Sequence, residues 1–348
     1  MSFLKRLLEF YLSVRAFFKN DIREITKVAN ADSYYSETER KPEKQRKKEL
    51  LKWRLKYGEV NRFYNLYGFD VHDVNDEYID YLSFMNSRNK KNNLRTIKST
   101  VSLLRDKFLF YKLMSGFNQP VPEVFGVVRD GKVLDGNLEP IKSADLKNET
   151  DYFAKELDGE CAPYVRHIKD FDDFCEKANE FDGRSLILQR RVFQCEEMQK
   201  INPCAINTIR IVTVKTKDGI KILSAVLRVG TKKSEGVDNW AAGGISVGIK
   251  EDGSLEEYGF YKPGYGGRVS VHPDTGVVFK DFVVPQYDKV KECVINAHKY
   301  FYGIHSIGWD IAVTDEGPVF IEGNDDWEIS LMQVCNHGLR KEWEDVCR

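Results

Sequence analysis

The chain has 348 residues, enough for one large domain or two to three modules with proper cores, so a small disulfide-stapled scaffold is excluded. Its 53 basic and 54 acidic residues nearly cancel, which gives no electrostatic ground for a nucleic-acid partner and makes any anion site a local one. Seven cysteines without a CxxC pair and six scattered histidines speak against zinc and disulfide frameworks and for the reduced thiols of a cytosolic protein.

In chain order, Met1 to about Val28 carries Leu4, Leu7, Leu8, Tyr11, Leu12, Val14 and Phe18 at roughly helical spacing and predicts an amphipathic helix. Lys5, Arg6, Glu9 and Arg15 interrupt it, so it neither spans a membrane nor resembles a cleavable signal. Packing against the rest of the protein is preferred to a membrane-surface role, because Glu9 and Asp21 dilute the basic face. The run Arg40 to Lys56 reads as a helix with a solvated face. An aromatic, turn-rich stretch around Tyr57 to Phe69 leads to a polar helix at Asp76 to Met85 and a basic linker at Asn86 to Arg95, with a boundary near residue 95.

From there the texture changes to short β-like runs alternating with helices, the pattern of a mixed α/β or α+β domain. Helices are expected at Thr96 to Ser115, Asp170 to Asn179 and Asp288 to Tyr302. Strands are expected at Val124 to Val128, Asp151 to Lys155, Ser185 to Gln189, Asn207 to Lys215, Lys221 to Val229, Gly244 to Ile249 and Val277 to Val284, followed by a closing hairpin.

Four segments carry polar groups of interest. Lys155 ends a strand and could bridge phosphates as a point charge, although a lysine there is as a rule merely solvated, and Lys107 is a weaker case of the same kind. The apolar strand Leu186 to Gln189 runs into Arg190-Arg191-Val192, where extended backbone can meet an adenine edge, with Glu196 and Glu197 beyond it as acceptors for ribose hydroxyls; an edge strand entering a polar loop is the plainer reading. Arg210, inside the β-branched strand Asn207-Thr208-Ile209-Arg210-Ile211-Val212, needs an anionic partner, either a phosphate or a carboxylate such as Asp310 or Glu322. Asn239 precedes the paired Gly243 and Gly244 at a strand mouth, where backbone amides can turn to phosphate oxygens, or where the glycines simply make a turn.

The segment Gly308 to Glu328, GWDIAVTDEGPVFIEGNDDWE, reads as a hairpin around a three-residue loop, Asp315-Glu316-Gly317, closed by glycine at positive φ. With Thr314 opposite Pro318, Asp310 faces Glu322 and Asn324 shares that face, while Ile311, Val313, Val319 and Ile321 point into a core. Two carboxylates and a carboxamide suit Mg²⁺, which completes its shell with water and phosphate oxygens. An acidic edge strand that discourages aggregation is the other reading these residues leave open.

Taken in order, Lys155, Gln189 to Val192, the N-T-I-R strand, the Asn239 loop and the D…E-x-N hairpin resemble the ATP-grasp superfamily. INPCAINTIRIVT, DNWAAGGISVGI and IGWDIAVTDEGPVFIEGN are similar to its sugar-transfer-associated branch, whose members are linked to surface-polysaccharide assembly. The resemblance runs from about residue 96 to the end. It implies an α+β ATP-grasp fold of two subdomains, 96–192 with Lys155 and the adenine-side strand, and 193–348 with Arg210 and the hairpin, behind a mainly helical region, 1–95.

The same resemblance implies that ATP lies between the subdomains, with Lys107 and Lys155 on its phosphates, Gln189, Arg190 and Val192 at adenine, and Glu196 and Glu197 at ribose. Arg210 and Asn239, with Gly243 in the same loop, would face the γ-phosphate, making Arg210, Asn239 and Lys155 the catalytic set, and Asp310, Glu322 and Asn324 would hold Mg²⁺. The implied activity is ADP-forming ligation of an amino acid or amine to a sugar acid or glycan precursor. An ATP-dependent kinase and a nucleotide-binding scaffold of a glycan-assembly complex are the alternatives, the latter docking a partner or the inner face of a membrane through residues 1–28. One segment departs from the family: Gly159 to Val165 has one glycine and a proline where a glycine-rich lid is usual. Replacing Asp310 or Glu322 is expected to remove the metal site and leave the core.

Overall fold

The structure is a computed structural model that describes residues 19–92, 100–157, 165–181, 183–234, 238 and 240–348. Residues 159–164 of the lid segment, Asn239 and most of the amphipathic stretch at the amino terminus therefore lie outside the described residues.

Helix α1 covers 19–30 and turns Ile25 and Ala29 inward, the packing role expected of this segment. Helix α2, Glu43–Tyr57, buries Leu50 and Trp53 and leaves most of its charge in solvent; it stops at Gly58, which takes the left-handed conformation (φ +85°) and donates its N–H to the Arg54 carbonyl. Helix α3, Tyr81–Lys91, starts later than expected because the Asp80 carboxylate caps it by accepting from the Ser83 N–H. It also runs through the stretch expected as a basic linker, since Arg88 is a buried anchor and not a solvated charge.

The single helix expected over 96–115 is, in its described part, two: α4 (Ser102–Arg105) and α5 (Lys107–Gly116). They break at Asp106, whose carboxylate accepts from the Phe108 and Leu109 N–H groups and so works as the N-cap of α5.

A five-stranded antiparallel sheet follows: β1 (Val124–Arg129), β2 (Lys132–Leu134), β3 (Tyr152–Glu156), β4 (Val165–Ile168) and β5 (Leu186–Arg190), in the order β2-β1-β5-β3-β4. The short outer strands β2 and β4 escape the sequence pattern because their side chains are mostly half-exposed and do not alternate cleanly. Helix α6 (Ser143–Leu146) lies between β2 and β3, and α7 (Phe171–Lys177) between β4 and β5. Tyr152, Ala154, Leu186 and Leu188 pack with Phe174 of α7 and with Phe181 on one face. The pairs Phe153↔Gln189 and Lys155↔Ile187 put those four residues on the other face.

After the short α8 (Glu196–Ile201), the chain builds a seven-stranded antiparallel sheet from β6 (Thr208–Thr216), β7 (Gly219–Val229), β8 (Ile245–Ile249), β9 (Leu255–Tyr261), β10 (Arg268–Val269), β11 (Ser306–Val313) and β12 (Pro318–Asn324). Its order is β10-β9-β8-β7-β6-β11-β12. The strand expected at Val277 to Val284 is instead a 3₁₀ turn, Phe279–Asp281, between two isolated bridges. The turn drives Phe279 under Gly259 of β9, where a Cβ would lie 2.9 Å from its ring.

One face of this sheet, with Ile209, Ile211, Leu227, Ile245 and Val247, packs on α9 (Tyr287–His298), α4 and α5. The opposite face, with Val212, Val214, Val226 and Phe260, packs on the N-terminal helices together with α10 (Ile329–Cys335) and α11 (Arg340–Cys347). The N-terminal helices thus share one core with the large sheet. Among the described residues no helix is long and apolar enough to cross a membrane.

Candidate active site

The closing hairpin sets Asp310 opposite Glu322, as expected, but by another route. Thr314 and Gly317 exchange both backbone hydrogen bonds (2.9 and 3.2 Å), so the loop is two residues, Asp315-Glu316, and Val313 faces Pro318. A bulge at Ile321 then adds the missing residue between Phe320, opposite Ile311, and Glu322, opposite Asp310. The bulge also changes the core set: Phe320 joins Ile311 and Val313 inside, whereas Val319 and Ile321 are only half-buried. Gly317 at φ +139° adopts a conformation that suits glycine alone.

Asp310 is 1% exposed and faces Arg210 of β6 across the ladder. Both its oxygens accept from Arg210, Oδ1 from Nε and Oδ2 from Nη2 at 2.9 Å, the two-pronged geometry of a strong carboxylate pair. The ion-pair reading of Arg210 is thus met by this carboxylate. A second arginine, Arg228 of β7, donates from Nη2 to Asp310 Oδ2 at 2.9 Å and from Nε and Nη2 to Thr208 Oγ1 at 3.1 and 2.8 Å. Arg228 also lies 3.6 Å from Asp238, which accepts from the Thr208 N–H.

Arg228 was missed in the sequence, although the argument that isolates Arg210 applies equally to an arginine in Ser224-Ala225-Val226-Leu227-Arg228-Val229. Burial alone would raise the Asp310 pKa, but Arg210 and Arg228 outweigh it and hold the carboxyl well below the usual aspartate range. Burial works against the Arg228 charge, yet Asp238 and then Asp310 and Glu322 push its pKa up.

Glu322 behaves oppositely. Burial and then the neighbouring Asp310 raise its pKa, and the two arginines only partly offset this. Asn324 Nδ2 lies 3.2 Å from Glu322 Oε1, which completes the expected trio on one face. From the five-stranded sheet Lys155 reaches this group: burial lowers its pKa, Glu322 opposes the change, and Lys107 adds to it. Lys155 therefore lies within electrostatic range of Glu322, and Lys107 within range of Lys155. The Lys107 N–H donates to the Leu157 carbonyl at 2.9 Å, which fastens the start of α5 to the end of β3.

The remaining candidates are distributed around this centre. Gln189 is buried on the same face of β5 as Ile187 and Lys155. Arg190 leaves on the other face, over the Phe125 ring and paired with Glu149 (2.6 Å) and Glu123 (3.1 Å), so its side chain does not join the cluster. Val192 is half-buried, while Glu196 and Glu197 are exposed in the first turn of α8; just before them the Cys195 N–H donates to the Val313 carbonyl at the hairpin base. Gly243 is buried at φ +94°, and a Cβ there would meet the Tyr265 ring at 3.0 Å.

Among the described residues no three His, Cys, Asp or Glu side chains form a metal cage. Two carboxylates with one carboxamide nevertheless fit the donor set of Mg²⁺, which keeps waters and phosphate oxygens in its shell. The high proton affinity of Glu322 also marks a carboxylate whose charge the resident cations leave only partly compensated.

Residues 176–348 match the model of a family described as sugar-transfer associated ATP-grasp. No curated protein sequence matches the chain. Among solved structures it is similar to the D-alanine–D-alanine ligase from Bacillus anthracis, with 11% identity and a TM-score of 0.41 over 68% of this chain and 64% of that one. Others are the VanG D-Ala:D-Ser ligase from Enterococcus faecalis (12%, 0.44, over 71% and 62%) and the N5-carboxyaminoimidazole synthase from Aspergillus clavatus (13%, 0.41, over 77% and 58%). The chain thus spans somewhat less than two thirds of the length of each of these structures.

Proposed function

With residues 176–348 identified as a sugar-transfer associated ATP-grasp domain, we propose that the chain is an ATP-dependent carboxylate–amine ligase, which activates a sugar acid or glycan-linked carboxylate and joins it to an amino acid or amine. The observation that carries this reading is the facing pair Asp310 and Glu322, with Arg210 and Arg228 hydrogen-bonded to Asp310 and the Lys155 charge acting on Glu322 from the other sheet. Three cations, Lys155, Arg210 and Arg228, around two carboxylates favour a polyphosphate with its metal ion.

Lys155 and Lys107 bind phosphate oxygens, Gln189 and the backbone through Val192 hold adenine, and Glu196 and Glu197 accept from the ribose. Arg210, Asn239, the amides near Gly243, and Arg228 serve the γ-phosphate end. Asp310, Glu322 and Asn324 would hold Mg²⁺, which would supply neutralisation of phosphate charge. The substrate carboxylate attacks the γ-phosphorus, the bond to the bridging oxygen breaks, and ADP leaves. The amine then adds to the carbonyl of the acyl phosphate, loses a proton, and expels inorganic phosphate. Arg210 and Arg228, held beside Asp310, stabilise the negative charge that develops on the acyl and phosphoryl oxygens. The division into 96–192 and 193–348, and action in the cytoplasm, belong to the same reading.

The test is ADP release across a panel of sugar acids and amines with hydroxylamine present. Hydroxamate and amide products are expected. A phosphorylated product without hydroxamate would make the chain a kinase, and no nucleotide turnover with any pair would leave the scaffold reading.

A further inference from the structure

The helices before the ATP-grasp match make polar contacts with Asp325, Asp326 and Trp327, just past the end of the hairpin, and with His305 and Ser306 at its start. Asn92, fully buried at the end of α3, donates from Nδ2 to the carbonyls of Asp325 (3.3 Å) and Ser306 (3.2 Å), and its Oδ1 accepts from the N–H groups of His305 (3.1 Å) and Ser306 (3.0 Å). Arg88, 1% exposed on α3, donates to the Trp327 carbonyl and to the Asp326 carboxylate. Arg105 of α4 grips the Asp325 carboxylate with two parallel bonds, Nε to Oδ1 at 2.8 Å and Nη2 to Oδ2 at 2.9 Å, and Asp325 is 2% exposed.

Packing reinforces this grip. A Cβ on Gly323 would lie 2.9 Å from Leu104 of α4 and 3.3 Å from Phe110 of α5, so the strand end has no slack against those helices. Arg105 is also two residues from Lys107, whose N–H is bound to the end of β3. One short stretch of chain therefore fastens the hairpin on one side and the lysine-bearing sheet on the other.

We propose that Arg105, Arg88 and Asn92 are positioning residues, which hold Asn324 and Glu322 in the geometry that accepts a divalent cation with its nucleotide. The inference rests on the reading of Asp310, Glu322 and Asn324 as the metal site, and it gives the N-terminal helices a part in the reaction beyond covering the large sheet. A bidentate clasp fixes direction as well as distance, and a lysine at the same position would keep the charge and lose the direction. Groups that orient metal ligands typically influence metal affinity by about 10- to 100-fold when removed.

The experiment uses the full chain and compares Arg105→Lys with wild type and with Leu50→Ala, a core substitution in α2 remote from the hairpin. Binding of Mn²⁺ in the presence of ADP is read by electron paramagnetic resonance, ADP affinity without metal by calorimetry, and folding by thermal melting. Arg105→Lys should weaken Mn²⁺ binding roughly tenfold while metal-free ADP affinity and secondary structure stay near wild type. Leu50→Ala should lower the melting temperature and leave Mn²⁺ binding alone. Unchanged Mn²⁺ affinity in Arg105→Lys, or an equal loss in Leu50→Ala, overturns the positioning role. A wild-type protein that binds ADP but never Mn²⁺ removes the metal-site reading itself, and the positioning role with it. Because none of these readouts needs a correct acid or amine, failure of the ligase reading alone would leave them intact.

Discussion

The two sheets that meet at the site are held in different ways. The seven-stranded sheet is packed on both faces, and its polar groups hold one another: Arg210, Arg228, Thr208 and Asp238 surround an Asp310 that is 1% exposed. The five-stranded sheet is packed against α7 on one face, and the other carries Phe153, Lys155, Ile187 and Gln189, of which Lys155 acts on Glu322 of the large sheet. The charges of Asp310, Arg210 and Arg228 on the large sheet are thus paired within the fold, whereas the proposed function gives the Lys155 charge of the small sheet to the phosphates.

The sharpest break in this contrast is Asp310→Asn. Sequence reasoning alone expects the fold to survive it, but the substitution takes the partner from two largely buried guanidiniums. Breaking a buried pair from one side costs about 3–5 kcal/mol, so a large drop in melting temperature is expected together with loss of ATP turnover. An unchanged melting curve would mean that the two arginines are held by something other than Asp310.

Glu322→Gln should separate function from fold. Its folded-state pKa is raised, by burial first and by Asp310 second, so ionising Glu322 costs stability as the pH rises from the ordinary glutamate range through the folded value. Asp310, with its pKa lowered, contributes the reverse, a stabilisation present above the ordinary aspartate range and lost as acid titrates it. Glu322→Gln is therefore expected to abolish turnover while matching or exceeding wild-type stability at neutral pH, with the advantage shrinking toward acid. Melting curves across pH check this, and a pH-independent difference would contradict it.

On the small sheet, Lys155→Met should weaken ATP binding by about 10- to 100-fold, the worth of a hydrogen bond to a charged group. It should leave the melting temperature level or slightly higher, because burial already works against the ammonium and Lys107 adds to the cost. Isothermal titration and melting on one sample decide it. A large destabilisation with unchanged ATP affinity would reverse the division of labour between the sheets.

How much of this was legible follows the same divide. Long strands with β-branched runs and the packed α9 declare themselves by period and composition, as do the Asp310–Glu322 pair and the isolated Arg210. The two-residue loop and the compensating bulge at Ile321 could not be read, because both leave the same pair opposite each other and differ only in hydrogen bonding. Helix α3 was misplaced because a run of Lys, Arg and Asn looks like a linker until Arg88 finds Trp327 and Asp326 more than two hundred positions away. Short-range patterns cannot carry such pairings.

The smallest effect belongs to Arg190→Ala, and it tests what the small sheet offers to adenine. Arg190 follows Gln189 directly, yet alternation along β5 sends its side chain to the opposite face, where Glu149 and Glu123 meet it and its own surface is 44% exposed. Exposed pairs of this kind contribute about 0–1 kcal/mol, so the melting temperature should fall by a few degrees at most. ATP affinity should stay within about twofold of wild type, since the nucleotide would meet the backbone of this segment and not the guanidinium. An affinity loss comparable to that of Lys155→Met would require the strand end to turn over when nucleotide binds, and it would make Arg190 an arginine that contacts the ligand itself.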